Sequence, residues 1–168
     1  MISIRPLFEA YMFSDKTISI DLHKFESGET NKLIIIGLSG SGKSTLGRKL
    51  AKKYNIPFHE LDLCGLEPKG THDACRRKII FSKERGVVEG SQIPMKMNPK
   101  EFKNFSMIII GTSLLTSTYR AAKRKNSNPK ANLLYFINLN LNRIIKGYNK
   151  FRDYMVSQPD AVVKEFKI

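Results

Sequence analysis

Residues 34–45 read IIIGLSGSGKST, and this stretch contains the clearest structural signal in the chain. It opens with β-branched apolar residues, which predict a strand over residues 32–36 that is buried on both faces of a parallel sheet. Residues 43–55 predict an amphipathic helix, because apolar side chains recur there at four-residue intervals. A glycine-rich loop between a buried strand and a helix is typical of a phosphate-binding site.

The loop over residues 37–44, GLSGSGKS, matches the Walker A pattern G-x-x-x-x-G-K-[ST]. Its glycines permit backbone conformations that turn the loop N–H groups toward phosphate oxygens, and the following helix points its positive end at the same place. We expect Lys43 to reach the β- and γ-phosphates, Ser44 to ligate Mg²⁺ and Thr45 to contact the α-phosphate. The predicted nucleotide-binding residues are Gly37, Ser39, Gly40, Ser41, Gly42, Lys43, Ser44 and Thr45.

The composition is that of a globular protein with a strongly basic surface. The 168 residues suffice for one domain with its own core, and 29 basic against 15 acidic residues give a net charge of +14. This charge predicts an anionic partner such as a nucleotide, a nucleic acid or a charged metabolite, with a merely solvated basic face as the alternative. No segment predicts a membrane span or a signal peptide. Cys64 and Cys75 form no metal-ligand pattern, so we expect reduced thiols in a cytoplasmic protein.

Strand and helix patterns alternate along the chain after residue 31. Strands are predicted at residues 32–36, 58–63, 87–93, 106–113 and 161–168, and helices at residues 43–55, 71–86, 113–126 and 133–156. This alternation predicts an α/β fold in three layers, with a mainly parallel five-stranded sheet flanked by helices. Residues 1–31 are an N-terminal extension of the domain over residues 32–168, and they form either an added edge strand or a partly disordered arm.

Four motifs carry a resemblance to the small P-loop kinases, a group that includes shikimate kinase, the nucleoside monophosphate kinases and the polynucleotide 5′-kinases. Besides the Walker A loop, ELD (60–62) stands where shikimate-type kinases carry D-x-D, VVEGSQ (87–92) ends a strand with an acid and a glycine, and YRAAKRK (119–125) matches the R-x-x-x-R lid. The resemblance implies the P-loop NTPase fold and phosphoryl transfer from ATP. A looser likeness connects the chain with ATP-binding proteins of large phages. Glu60 replaces the first Asp of D-x-D, so the resemblance leaves the acceptor open.

Acids at the ends of neighbouring parallel strands are expected close to the γ-phosphate, because these strand ends face the ligand crevice of an open α/β sheet. Asp62 is the predicted carboxylate that orients or deprotonates the acceptor, and Glu89 is predicted to hold Mg²⁺, directly or through water. Arg120 and Arg124 share one helix face and are predicted to stabilise transition-state charge. Together with Lys43 and Asp62, they form the predicted catalytic set. Weaker candidates are Glu60, Arg76, Arg77, Arg143 and Arg152.

The predicted function is Mg²⁺-dependent transfer of the γ-phosphate of ATP to a small-molecule hydroxyl or phosphate acceptor. ATP is preferred to GTP because the sequence has no N-K-x-D segment that would read a guanine base. Two alternatives stay open: a kinase that acts on the 5′-end of a nucleic acid, which the basic charge favours, and an ATP-binding or ATPase module without an acceptor.

Overall fold

The computed structural model describes residues 16–124 and 129–165 of the chain. The strands in this part are β1 (Lys16–Ile20), β2 (Lys32–Ile36), β3 (Phe58–Glu60), β4 (Gly86–Glu89), β5 (Ser106–Ile109) and β6 (Val162–Glu165). The helices are α1 (Leu22–Ser27), α2 (Lys43–Tyr54), α3 (His72–Ile80), α4 (Ile93–Lys96), α5 (Leu114–Lys123), α6 (Pro129–Arg143) and α7 (Asn149–Val156). Two 3₁₀ segments span Leu61–Leu66 and Pro99–Phe102, and a π-helical segment, Ile144–Tyr148, joins α6 to α7.

The strands form one sheet in the order β3-β4-β2-β5-β1-β6. Strand β2 is parallel to both β4 and β5, and β3 is parallel to β4. Strand β1 is antiparallel to β5 and to β6, so β6 again runs in the direction of β5. The mainly parallel sheet flanked by helices confirms the predicted α/β fold, and the five strands predicted after residue 31 are all present.

The N-terminal extension supplies a strand to the interior of the sheet. In β1, Ile18 lies opposite Ile109 of β5 on one side and Val163 of β6 on the other. Ile18 and Ile20 are buried in the core. The expectation of an edge strand is therefore wrong, because β1 has a hydrogen-bonded neighbour on each side. The alternative of a disordered arm concerns mainly residues 1–15, which lie outside the described residues.

Strand β2 is buried along its whole length, as its sequence predicts. Because successive side chains point to opposite faces, Ile34 and Ile36 join one apolar cluster while Leu33 and Ile35 join another. The first cluster includes Phe151 of α7, and the second is packed against α1 and α2. The strand that leads into the phosphate-binding loop is thus fixed from both sides.

The predicted long helix over residues 133–156 is continuous, but it contains a π-helical turn at Ile144–Tyr148. The sequence predicts one apolar face for this helix, because apolar side chains recur every three or four residues at Leu133, Ile137, Leu141, Ile144, Tyr148, Phe151 and Met155. C-terminal to the π-helical turn this face is confirmed, since Phe151 and Met155 are fully buried. N-terminal to it the predicted face is only partly buried, since Ile137 and Leu141 are half-buried and Leu133 is exposed, whereas Asn140 and Arg143 are buried. One wider turn changes the phase of the helix, so a regular 3.6-residue period does not describe both halves. The helix also begins at Pro129, inside the gap between the helices predicted over residues 113–126 and 133–156.

The cysteines form a disulfide, so the prediction of reduced thiols is wrong. Cys64 in the first 3₁₀ segment is bonded to Cys75 in α3, with Cα atoms 5.8 Å apart. The two cysteines are 11 residues apart in the sequence. This spacing alone does not show whether a pair of cysteines is bonded or free. The cytoplasmic location therefore stays a prediction that has lost its support from cysteine usage.

Two predicted elements are shorter than expected on the side of the sheet that carries Asp62. Strand β3 ends at Glu60, so Asp62 lies in the following 3₁₀ segment and not in the strand. Helix α3 ends at Ile80 and not at residue 86, because Gly86 already pairs with Lys32 as the first residue of β4. In the described ranges, no helix combines the length and the apolar character that crossing a membrane requires.

Candidate phosphate-binding and acceptor site

The Walker A loop turns sharply between β2 and α2. Gly40 and Gly42 have φ angles of +87° and +92°, which L side chains rarely adopt. A Cβ atom on Gly40 would also lie 1.9 Å from the backbone oxygen of Ser117, so α5 packs directly against the loop. Gly42 is the N-cap of α2. The first-turn N–H groups of α2 therefore open toward the loop without intrahelical acceptors, as the prediction of an anion-binding N-terminus requires.

Glu89 connects the end of β4 with the start of α2. One oxygen of its carboxylate accepts a hydrogen bond from the Ser44 hydroxyl at 3.0 Å, and the other lies 3.5 Å from the Lys43 ammonium. The Glu89 side chain is only 1% exposed. The structure thus brings three predicted site residues, from two segments 45 residues apart, into direct contact.

Burial raises the pKa of the Glu89 carboxyl. The positive charge of Lys43 and the hydrogen bond from Ser44 oppose this rise, while the negative charges of Asp62 and Glu60 add to it. The carboxylate is therefore held in an electrostatic environment in which an additional cation is favourable.

The residues around Glu89 fit a magnesium ion that is shared with phosphate oxygens. Glu89 and Ser44 offer the carboxylate and hydroxyl oxygens that Mg²⁺ prefers, and Oε2 of Glu89 is buried with no hydrogen-bond donor among the described residues. The described part of the chain holds no cluster of three or more acidic, His or Cys side chains that would bind a metal by itself. Mg²⁺ in phosphoryl-transfer sites is held by one or two carboxylates together with substrate phosphates, so this donor set is adequate.

Asp62 lies in the 3₁₀ segment after β3 and its side chain is exposed. The Ser91 hydroxyl is 3.4 Å from both of its carboxylate oxygens. Glu60, two residues before it, forms an ion pair of 2.7 Å with Arg48 on α2. Asp62 is thus close to the loop that follows Glu89 but is held only weakly, and Glu60 is occupied by a structural contact.

The predicted arginines lie on α5, which packs against the Walker A loop through Ser117. Arg120 is half-buried, while Arg124 is exposed and caps the C-terminus of the helix. Neither forms an ion pair with another residue in the ranges 16–124 and 129–165. They lie on the helix that contacts the loop, but among the described residues no side-chain hydrogen bond or ion pair joins them to the predicted phosphate-binding residues. Their catalytic role stays a prediction.

Arg76 and Arg77, two weaker candidates, are engaged in ion pairs. Arg76 is buried and bonded to Asp73 at 2.8 Å, and Arg77 is bonded to Glu101 at 2.7 Å. Arg77 holds the pKa of the Glu101 carboxyl below its usual range. Arg77 therefore links α3 to the second 3₁₀ segment and has a structural role in this arrangement.

Sequence reasoning missed two side chains that contact the loop and ranked a third low. Asn140 of α6 bonds both the N–H and the carbonyl of Ser39, and Arg143 donates to the Ser39 hydroxyl. The Tyr148 hydroxyl is buried beside the backbone of Gly37. The only sequence signal for Asn140 and Arg143 is that they are polar residues close to the apolar positions of α6. The π-helical turn after α6 changes the helical phase, so a regular 3.6-residue period does not predict which of these side chains are buried.

Comparison with known proteins agrees with the fold and says little about activity. No model of a known protein family matches the chain. Over 55 residues the chain is 38% identical to the sublancin-168-processing and transport ATP-binding protein SunT, both from Bacillus subtilis and from Bacillus phage SPbeta. The match covers 32% of this chain and only 8% of the length of these curated relatives.

Among solved structures, the chain is similar to shikimate kinase from Bacteroides thetaiotaomicron. The TM-score is 0.54 at 18% sequence identity, and the superposition covers 72% of this chain and 82% of that one. At this identity the likeness concerns the fold alone. The chain therefore shares the α/β fold of that protein, as its resemblance to the small P-loop kinases implies.

Proposed function

We propose that the protein transfers the γ-phosphate of ATP to a hydroxyl or phosphate group of a small molecule, with Mg²⁺ as the metal. The observation that carries the proposal is the contact of Glu89 with both Lys43 and Ser44 at the carboxyl edge of the sheet. A glycine-rich loop, a lysine, a hydroxyl and a buried acid at one place are the parts that phosphoryl transfer from a nucleotide needs. The ATP-binding description of the SunT relatives and the shikimate kinase fold agree with it.

On the donor side, the loop N–H groups and the N-terminus of α2 would bind the β- and γ-phosphates, with Lys43 neutralising their charge. Ser44 and Glu89 would hold Mg²⁺, which when bound supplies positive charge to the phosphate oxygens. Binding of the nucleotide would replace the present contacts of Glu89 with Lys43 and Ser44, because Lys43 would then face the phosphates and Ser44 the metal ion. Arg120 and Arg124 would add positive charge from α5.

On the acceptor side, Asp62 would accept a hydrogen bond from the attacking hydroxyl and orient its oxygen toward the γ-phosphorus. The new P–O bond forms as the bond between the γ-phosphorus and the β–γ bridging oxygen breaks, so ADP leaves with the electron pair of that bond. The proton of the acceptor hydroxyl passes to Asp62. Its exposed position in a 3₁₀ segment leaves space for an acceptor beside it.

The test is a screen of acceptors with γ-labelled ATP and Mg²⁺, using nucleosides, nucleotides, hydroxylated carboxylic acids and 5′-hydroxyl oligonucleotides. Transfer of label to one class identifies the acceptor, and the Lys43→Ala variant serves as the background control. Slow release of labelled phosphate without a labelled acceptor indicates an ATPase module instead, and this result would overturn the kinase proposal.

A second candidate acceptor is the 5′-end of a nucleic acid, and the charge of the chain favours it. Between Ser113 and Gln158 there are nine Lys or Arg residues and one acid. When protein cations neutralise nucleic-acid phosphates, the binding affinity falls steeply as the salt concentration rises. The affinity for a 5′-hydroxyl oligonucleotide is therefore measured between about 50 and 200 mM salt, and a fall of about 10³-fold or more over this range supports several phosphate contacts. Binding that does not change with salt excludes this candidate.

A further inference from the structure

Asn140 is the most completely engaged polar side chain near the Walker A loop. It lies in the C-terminal half of α6 and is 0% exposed. Its Oδ1 accepts a hydrogen bond from the Ser39 N–H at 3.2 Å, and its Nδ2 donates to the Ser39 carbonyl at 3.4 Å and to the Thr118 hydroxyl at 3.3 Å. All polar groups of the amide therefore have partners, as burial of such a group requires.

The two bonds to Ser39 constrain the loop backbone in a specific way. The Ser39 N–H belongs to the peptide unit before the Cα atom and its carbonyl to the unit after it. An amide that bonds both units at once fixes the φ and ψ angles between them. Arg143, one helical turn further along α6, donates to the hydroxyl of the same residue. The two polar groups of the Asn140 amide and the guanidinium of Arg143 thus all bond to Ser39.

Ser39 is the residue before Gly40, whose space is already limited by α5. The loop is therefore held from α6 through Asn140 and from α5 through the close approach of Ser117. The bond from Asn140 to Thr118 joins these two helices at the same point. Because Thr118 and Arg120 lie on one helix, the amide also fixes where α5 and its arginine sit relative to the loop.

We propose that Asn140 is a positioning residue that holds the Walker A loop in its phosphate-binding conformation before the nucleotide arrives and couples the loop to α5. The proposal rests on the proposed function for the identity of the ligand, but not for the conformational effect. A loop whose N–H groups already point at the phosphates loses less conformational freedom on binding, so its affinity is higher. When only a fraction of molecules has the competent loop, the apparent affinity falls by that fraction.

The experiment compares Asn140→Ala with Asn142→Ala, which makes the same change at an exposed position of the same helix. Binding of a fluorescent ATP analogue with Mg²⁺ is measured by anisotropy, and hydrogen exchange of the loop amides is measured without nucleotide. We expect Asn140→Ala to bind about 10- to 100-fold more weakly, as for loss of two or more hydrogen bonds, and to exchange its loop amides faster. Asn142→Ala should behave as wild type, and Thr118→Val should show a smaller loss because the bonds to Ser39 remain.

A Phe102→Leu variant separates positioning from general destabilisation. Phe102 is fully buried in the core and belongs to the second 3₁₀ segment, away from the loop contacts of Asn140. The Phe102→Leu substitution should lower the melting temperature of the protein without changing its affinity for the ATP analogue. If Asn140→Ala leaves both affinity and loop exchange within twofold of wild type, or if Phe102→Leu weakens binding equally, the proposal is overturned. Faster loop exchange in Asn140→Ala together with a wild-type protein that binds no ATP would support positioning and reject the ATP-dependent function.

Discussion

The two acids at the carboxyl edge of the sheet are held in opposite ways. Glu89 ends strand β4, is 1% exposed and contacts both Lys43 and Ser44. Asp62 lies on a 3₁₀ segment and is exposed, and among the described residues its one hydrogen-bond partner is the Ser91 hydroxyl at 3.4 Å. The side of the site that would bind the nucleotide is thus rigid and already connected. The side that would bind an acceptor is open and loosely held.

This difference indicates which side of the site can determine specificity for the acceptor. Every nucleoside triphosphate has the same phosphate chain, so a fixed arrangement of backbone N–H groups can bind all of them. Acceptors differ in shape, and the segments that would contact them are short, irregular and joined by side-chain contacts. We therefore expect substitutions on the Glu89 side to affect nucleotide binding and those on the Asp62 side to affect turnover.

The largest effect is expected from Lys43→Ala. Removal of the ammonium deletes the cation that the proposal places on the β- and γ-phosphates, so ATP-dependent turnover should be lost and ATP binding weakened by about 100-fold or more. Lys49→Ala, an exposed lysine of the same helix, is the control. Equilibrium binding and labelled-phosphate release measure the effect, and circular dichroism checks the fold. Full activity in Lys43→Ala would contradict the interpretation of the loop.

The next effect concerns Glu89→Gln, which keeps the shape of the side chain and removes its charge. We expect the Mg²⁺ concentration for half-maximal nucleotide binding to rise by about 10- to 100-fold, because the amide is a poor magnesium ligand. The free energy of unfolding should fall, because the buried Lys43 ammonium loses the carboxylate with which it is paired, so a melting curve checks that the variant is folded at the assay temperature. A magnesium titration of nucleotide binding measures the shift, with the exposed Glu29→Gln as the matched control. An unchanged magnesium requirement would assign Glu89 a structural role only.

Asp62→Asn should separate the two sides of the site. Loss of the carboxylate should lower turnover by about 100-fold, the low end of general-base effects, while the affinity for ATP changes less than twofold. Steady-state rates and direct ATP binding are measured side by side, with Asp153→Asn on α7 as the control. Equal losses in turnover and in ATP affinity would make Asp62 a metal-binding or structural residue.

The sequence predicted that Lys43, Ser44 and Glu89 lie close together, because the determinants of their positions are mostly local. The strand, loop and helix over residues 32–54 are contiguous, and Glu89 follows from the rule that parallel strands end at one edge. Strand β1 was misplaced because its position between β5 and β6 depends on pairing with segments about 90 and 145 residues away. Asn140 was missed because a π-helical turn changes the face that α6 presents, and no periodic pattern records it.

The smallest effect on nucleotide binding, and the sharpest test of the comparison, concerns the disulfide between Cys64 and Cys75. This bond ties the 3₁₀ segment that carries Asp62 to α3, with a sequence separation of 11 residues. Loss of a cross-link over a loop of this size raises the entropy of the unfolded chain and should lower the free energy of unfolding by about 3 kcal/mol. In the folded protein, its loss should loosen only the acceptor side, because Lys43, Ser44 and Glu89 are held by bonds to one another that do not involve the disulfide.

We therefore expect the Cys64→Ser/Cys75→Ser double variant to unfold at lower denaturant and to be cleaved faster by protease within residues 61–71, with ATP affinity unchanged. Wild-type protein reduced with dithiothreitol should behave in the same way, which separates loss of the bond from effects of the serine side chains. A denaturation series, limited proteolysis and ATP binding on the same samples decide the matter. A parallel fall in ATP affinity would show that the rigid nucleotide side depends on the acceptor side, and the division of the site into a fixed and a loosely held part would then be wrong.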